Sequence, residues 1–186
     1  MPTTAAHTHA SARNPLWEFS VRVYDLDGVK KACLALQNRF GADVNMIMFL
    51  MWLADSGIDR GRLAQYMGAA LKLSRDWQRS LVEPLRTTRN NLKDYIENTP
   101  LTESQVAALS ALRERVKGCE LDTERMQTLA MYNLVEDSGL GDAPVAHAKA
   151  REHASNHLSV YFSATGVTLD PLGKAHVEHI LDSVFG

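Results

Sequence analysis

An all-α fold is predicted on three observations. Apolar residues recur at spacings of three and four through most of the chain, helix-capping residues punctuate those runs, and one run is apolar on every side. The expected architecture is an irregular bundle of five or six helices around that fully apolar central helix, with a C-terminal helical tail. Composition agrees: 186 residues, 45% apolar and 23% charged, suit a globular domain with a sizeable core.

The polar start, residues 1–15, reads as a disordered tail and lacks the apolar run of a secretory signal. FSVRVYDLDGV, residues 19–29, then looks like an apolar strand running into Asp-x-Asp-Gly. The nucleophile loop of haloacid-dehalogenase-like phosphohydrolases begins in this way, one aspartate attacking phosphorus while the other exchanges a proton with the leaving group. That chemistry needs a parallel sheet with further acidic, lysine and Ser/Thr loops, and nothing after Val29 reads as a buried strand. The expectation is therefore that Asp27 caps a helix starting at Gly28 and Val29. Trp17, Phe19, Val21, Val23 and Tyr24 would pack as a lead-in segment.

From Val29 to Phe40, Val29, Ala32, Cys33, Leu36 and Phe40 mark a helix that Gly41 ends. Asp43 is placed to cap the central helix, VNMIMFLMWLA, because its carboxylate accepts from a free backbone N–H one turn in. Gly57 closes that helix. Asp59 opens a third, carrying Leu63, Tyr66, Met67, Ala70 and Leu71. Ser74 is expected to cap a fourth, long helix to about Asn98, with a kink or break at Pro84. Thr99-Pro100 stops it, and Thr102 to Gln105 is a capping-box start for the next. Whether Gly118 divides that helix is left open. These helices make a bundle domain over 16–137. Residues 138–145, with their glycine, proline and aspartate, read as a loop or linker. The region 146–186 holds five of the seven histidines and reads as a separable helical tail, its last helix opened by Asp170-Pro171.

Two cysteines with no paired spacing and no membrane-length apolar run predict a cytoplasmic protein. Formal charge of −2 gives no global attraction to nucleic acid or anionic lipid. The elements WEFS, GVKKACLALQ, GADVNMIMFLMW, WQRSLVEPLRTTRNNLK and ALRERVKGCELDTERMQ resemble a proteobacterial family of uncharacterised proteins, over about Leu16 to Glu136. That resemblance implies the fold class and a bacterial origin, and no chemistry.

No catalytic constellation and no cofactor are expected, so the candidate sites are surfaces and pockets. Lys72, Arg75, Arg79, Arg86, Arg89 and Lys93 fall within about 100° on a helical wheel, opposed in that segment only by Asp76 and Glu83. The leading expectation is a non-catalytic interaction or regulatory module that docks an acidic protein through this face. The bland alternative is a solvated face with internal ion pairs, such as Arg79 or Arg86 with Glu83. Nucleic acid is disfavoured because no aromatic residues interleave there, and homo-oligomerisation is left open. The second functional class is a small-molecule-binding protein or enzyme with a pocket lined by Asp43, Asn45, Trp52 and Trp77. Asn45, polar on an apolar helix, must find a partner, a backbone group or Gln37. His153 and His157, with His176 and His179, have helical spacing that could hold zinc if the pairs faced each other. They lack the HExxH arrangement and are read as surface histidines. Cys33 is read as a small hydrophobe.

Overall fold

The computed structural model describes residues 14–136 and 145–186. Most of the expected 1–15 tail, and all but the last residue of the expected 138–145 linker, lie outside the described residues. Among the described residues there are eight α-helices, one π-helical segment and no strand. The helices are α1 (Pro15–Tyr24), α2 (Val29–Phe40), α3 (Val44–Asp55), α4 (Arg60–Trp77), α5 (Glu83–Asn98), α6 (Glu103–Asn133), α7 (His147–Ala164) and α8 (Pro171–Phe185), with the π segment Gln78–Val82 between α4 and α5.

The central rod is α3. Every residue from Met46 to Ala54 is buried, as expected of a helix with no polar face. Around it pack α1, α2, α4, α6 and α7, while α8 lies on α2 and α7. Leu158, Tyr161 and Phe162 of α7 and Ile180, Leu181 and Phe185 of α8 belong to the same hydrophobic cluster as α3. The histidine-rich region is thus not a separable tail: its apolar stripes close the core.

Most helix ends follow the caps legible in the sequence. Asp43, Asp59, Thr102 and Asp170 each accept a backbone N–H of the first turn, and Thr102 with Gln105 completes the capping box. Gly41 and Gly57 take positive φ at helix ends. Gly118 does not divide α6, which runs unbroken from Glu103 to Asn133.

Three expectations are corrected. The stretch from residue 19 is not a strand or an extended lead-in but the body of α1. Its buried set is Leu16, Phe19, Ser20 and Val23, at helical spacing, and Asn14 Oδ1 accepts from Trp17 N to start it. Asp27 does not cap α2. Gly28, at φ 71°, holds that position without a side-chain bond, because backbone bonds such as Val29 N to Leu26 O already close the four-residue turn. Ser74 is no cap either: α4 continues through it, and its buried hydroxyl donates to Asp43 Oδ2 at 2.6 Å.

Pro84 acts as expected of a helix-breaking residue, though through a widened turn. A proline's ring clashes with the carbonyl four residues earlier, here Ser80. Ser80 lies in the π segment, whose wider turn absorbs that clash and lets α4 lead into α5.

Candidate functional cleft

A cleft of about 620 Å³ opens where α1, α2 and the start of α3 face α5 and α6, within the range typical of small-molecule sites. One wall is mixed: Trp17, Val21, Tyr24, Leu34, Val44 and Met48 are interleaved with Ser20, Asp25, Lys30 and Gln37. The other is polar: Asp43, Asn45, Gln78, Arg86, Arg89, Glu120 and Glu124.

Asp43 anchors the polar wall. Its Oδ1 caps α3 by accepting from Asn45 N at 2.9 Å, and its Oδ2 accepts from Ser74 Oγ and Gln127 Nε2, each at 2.6 Å. Its own backbone N–H donates to Tyr161 Oη at 2.9 Å. Burial raises the carboxyl above the ordinary aspartate range, opposed by the bonds from Ser74, Gln127, Asn45 and Met46. Gln127, fully buried, fixes the direction of the network. With Nε2 donating to Asp43, Oε1 accepts from Asn45 Nδ2 at 2.9 Å and Gln78 Nε2 at 3.0 Å. Asn45 also reaches Glu124 O, so its partners lie on α6 and not at Gln37.

Beside this network, Glu120 gathers two guanidinium groups. Arg86 Nε donates to Oε1 at 2.9 Å and Arg89 Nε to Oε2 at 2.6 Å, while Arg86 Nη2 donates to Glu124 Oε1 at 3.0 Å. Burial opposes ionisation of Glu120, but hydrogen bonds and charge from Arg89 and Arg86 outweigh it and hold the carboxyl below the usual range. Glu124 shifts the other way. Burial raises it, and the charges of Glu120 and Asp43 add to that against the pull of Arg86. Two carboxylates one helical turn apart are thus driven in opposite directions. Burial, helped by Cys33 and Glu124, pushes Tyr24 up to about 12, so its hydroxyl stays protonated on the facing wall.

The predicted site residues divide. Asp43 and Asn45 line the cleft, and Arg86 and Arg89 of the cationic stripe line it with them. Trp52 and Trp77 do not, which corrects their place in the expected pocket. Trp52 packs against Phe49 and Tyr132, and Trp77 Nε1 donates to Thr123 O at 3.0 Å. The rest of the stripe lies outside: Lys72 pairs with Asp76 and Lys93 with Glu97, and Arg75 and Arg79 are exposed. The four histidines do not converge. His153 and His157 use Nδ1 on the carbonyls of Ile58 and Leu50, and His179 uses Nε2 on Asp27 O. Among the described residues no group of three or more His, Cys, Asp or Glu side chains could hold a metal ion. Cys33 is buried, which pushes its thiol up to about 12, in keeping with a small hydrophobe.

Sequence reasoning missed Glu120, Glu124 and Gln127. A signal was present: they stand at i, i+4 and i+7 of α6, in line with buried Met131. A polar stripe leading into a core position marks side chains turned inward.

Among the described residues no helix is long and apolar enough to cross a membrane. No curated protein and no solved structure gives a significant match to this chain. The profile of a family described as "Protein of unknown function (DUF2390)" matches residues 15–131, which span α1 through most of α6 and carry both walls of the cleft. The match covers more than half of the chain, and the protein belongs to that family.

Proposed function

We propose that this protein is a small-molecule-binding protein whose ligand carries a carboxylate or phosphate and sits in the α1–α2–α3–α5–α6 cleft. One observation carries this reading. Arg86 and Arg89 are held side by side on Glu120 at the polar wall of a cleft whose opposite wall presents Trp17, Val21, Tyr24 and Leu34 among polar side chains. Arg89 is bound to Glu120 through Nε, which leaves its terminal Nη edge to meet an acidic group. Trp17, Val21, Tyr24 and Leu34 would take the body of such a ligand. The resemblance and the cysteine usage support a bacterial cytoplasmic setting.

Thermal shift against citrate, phenylacetate, inorganic phosphate and nucleoside monophosphates tests the reading. At least one acidic compound should raise the melting temperature of the wild type and do so less in Arg89→Lys, which keeps the charge and loses the fork. If none shifts the wild type, or the shifts are indifferent to Arg89, the reading fails.

Exposure of Arg75 and Arg79 on the outside of α4 and the π segment supports a second reading. A cationic face formed with Lys72 and Lys93 would dock an acidic protein. Reversing the charge of Arg75 and Arg79 should then remove a specific partner from a pull-down, and an unchanged set of partners would end it.

A further inference from the structure

Resting on the acid-binding reading above, we infer that the ligand is a zwitterion, with an acidic group held by Arg89 at one end and an amine held by oxygens of Asn45, Gln78 and Glu124 at the other. The direction in which two amides face carries this step. Asp43 Oδ2 accepts from Gln127 Nε2 at 2.6 Å, which turns Gln127 Oε1 towards Asn45 and Gln78. Both amides then spend an N–H on that oxygen, at 2.9 Å and 3.0 Å. Asn45 Nδ2 is fixed a second time by Glu124 O, a backbone carbonyl that can only accept.

An amide holds its oxygen and nitrogen on separate branches, so nitrogens committed to α6 leave the oxygens facing elsewhere. Asn45 Oδ1 and Gln78 Oε1 accept from no described residue. Both residues are half-buried and line the cleft, and neither oxygen is sealed from solvent. An acceptor so placed takes its hydrogen bond from water or from a ligand.

Glu124 adds a third acceptor. Its Oε1 takes Arg86 Nη2 at 3.0 Å, and its Oε2 has no partner among the described residues. Burial and the charges of Glu120 and Asp43 raise this carboxyl against Arg86 alone, so the spot is short of positive charge. An ammonium group supplies that charge and brings three donors to three acceptors.

The two ends are set apart along α6. Arg89 is held at Glu120 and the amides at Gln127, seven residues on, which is about 10 Å of helix. Lys117, one turn beyond Glu120, falls at the acid end. An α-amino acid, whose amine adjoins its acid, is too short for this separation. A chain of about six atoms with a hydrogen bond at each end fits it. Its methylenes would lie along Trp17, Val21, Tyr24 and Leu34. The competing arrangement is a second acid drawn to Lys30, whose Nζ stands over the Tyr24 ring at 5.9 Å from its centroid.

Thermal-shift dose series of the full chain with caproate, ε-aminocaproate and adipate test this. The three share one chain length and differ only in ending on a methyl, an amine or a second acid. The wild type should bind ε-aminocaproate about tenfold tighter than either of the others. Gln78→Met, which deletes one acceptor, should bring that ratio close to one. Glu124→Gln, an isosteric change that removes the charge, should also narrow it and gives a reading if Gln78→Met disturbs the network. Arg89→Lys should weaken all three compounds. Caproate or adipate binding at least as tightly as ε-aminocaproate, or a preference that survives both variants, overturns the zwitterion and leaves the acid-binding reading standing. If none of the three binds, the zwitterion falls, and the acid-binding reading is decided by its own citrate, phosphate and nucleotide series.

Discussion

Replacing Gln127 with methionine would preserve side-chain length while deleting the amide on which the buried network turns. Three hydrogen bonds end there: one donated to Asp43 Oδ2 at 2.6 Å and two accepted, from Asn45 at 2.9 Å and Gln78 at 3.0 Å. A bond to an ionised group contributes about 1.5–3 kcal/mol and a neutral one about 1 kcal/mol. Some of that is recovered. Ser74 still donates to Asp43, Asn45 keeps Glu124 O, and the thioether is cheaper to bury than an amide. The expected net loss is about 2–4 kcal/mol, a large fraction of the stability of an ordinary domain. For a chain of this length it lowers the melting temperature by about 10 °C. Urea denaturation followed by circular dichroism reads it directly, and the midpoint should fall with the slope unchanged. A loss below about 1 kcal/mol would refute the reasoning, because it would mean that water satisfies these groups as well as Gln127 does. Gln127→Glu offers a check of sign. A second carboxylate beside Asp43 should be tolerated better at pH 5 than at pH 8.

Two further outcomes are expected. Glu120→Ala removes the shared anion from Arg86 and Arg89; Arg86 keeps Glu124, and both guanidinium groups retain partial access to water, so the loss should be about 2 kcal/mol and not the full value for a buried pair. Glu120→Gln should fall between that variant and the wild type in urea midpoint. His157 is buried, and burial lowers its pKa from 6.5 against the bond to Leu50 O. The fold thus favours the neutral ring: this contribution is fully present above pH 6.5 and is lost as pH falls below it through the folded value. Melting temperatures taken from pH 7.5 down to 5 should decline in the wild type and decline less steeply in His157→Gln. Equal slopes would show that other groups carry the acid sensitivity.

Local chemistry explains what could be read from the chain alone. A cap is settled within three residues, so Asp43, Asp59, Thr102 and Asp170 were legible, and an unbroken apolar run such as Met46 to Ala54 has only one comfortable place, the centre. Reading failed where a polar residue had two local options and a distant partner chose between them. Ser74 has the chemistry of a cap, but Asp43, 31 residues earlier, takes its hydroxyl and leaves the helix to continue. Asp27 has it too, but a glycine turn closed by backbone bonds makes the side chain unnecessary. α1 was obscured because its alternating apolar residues suit a strand, while its buried set, starting at Leu16 and including Ser20, follows the helical period.

The helical class, the central rod and most helix ends are written along the chain, because those depend on neighbours within a turn or two. Tertiary structure alone decided which polar residues make the cleft. Arg86 meets Glu120 across 34 residues and Gln127 meets Asp43 across 84. The same long-range packing turned two cations of a seemingly solvated stripe inward and drew the histidine-rich helices into the core. Charge and hydrogen-bond pairing are settled by distance in space, and spacing along the chain leaves that distance open until the helices have packed.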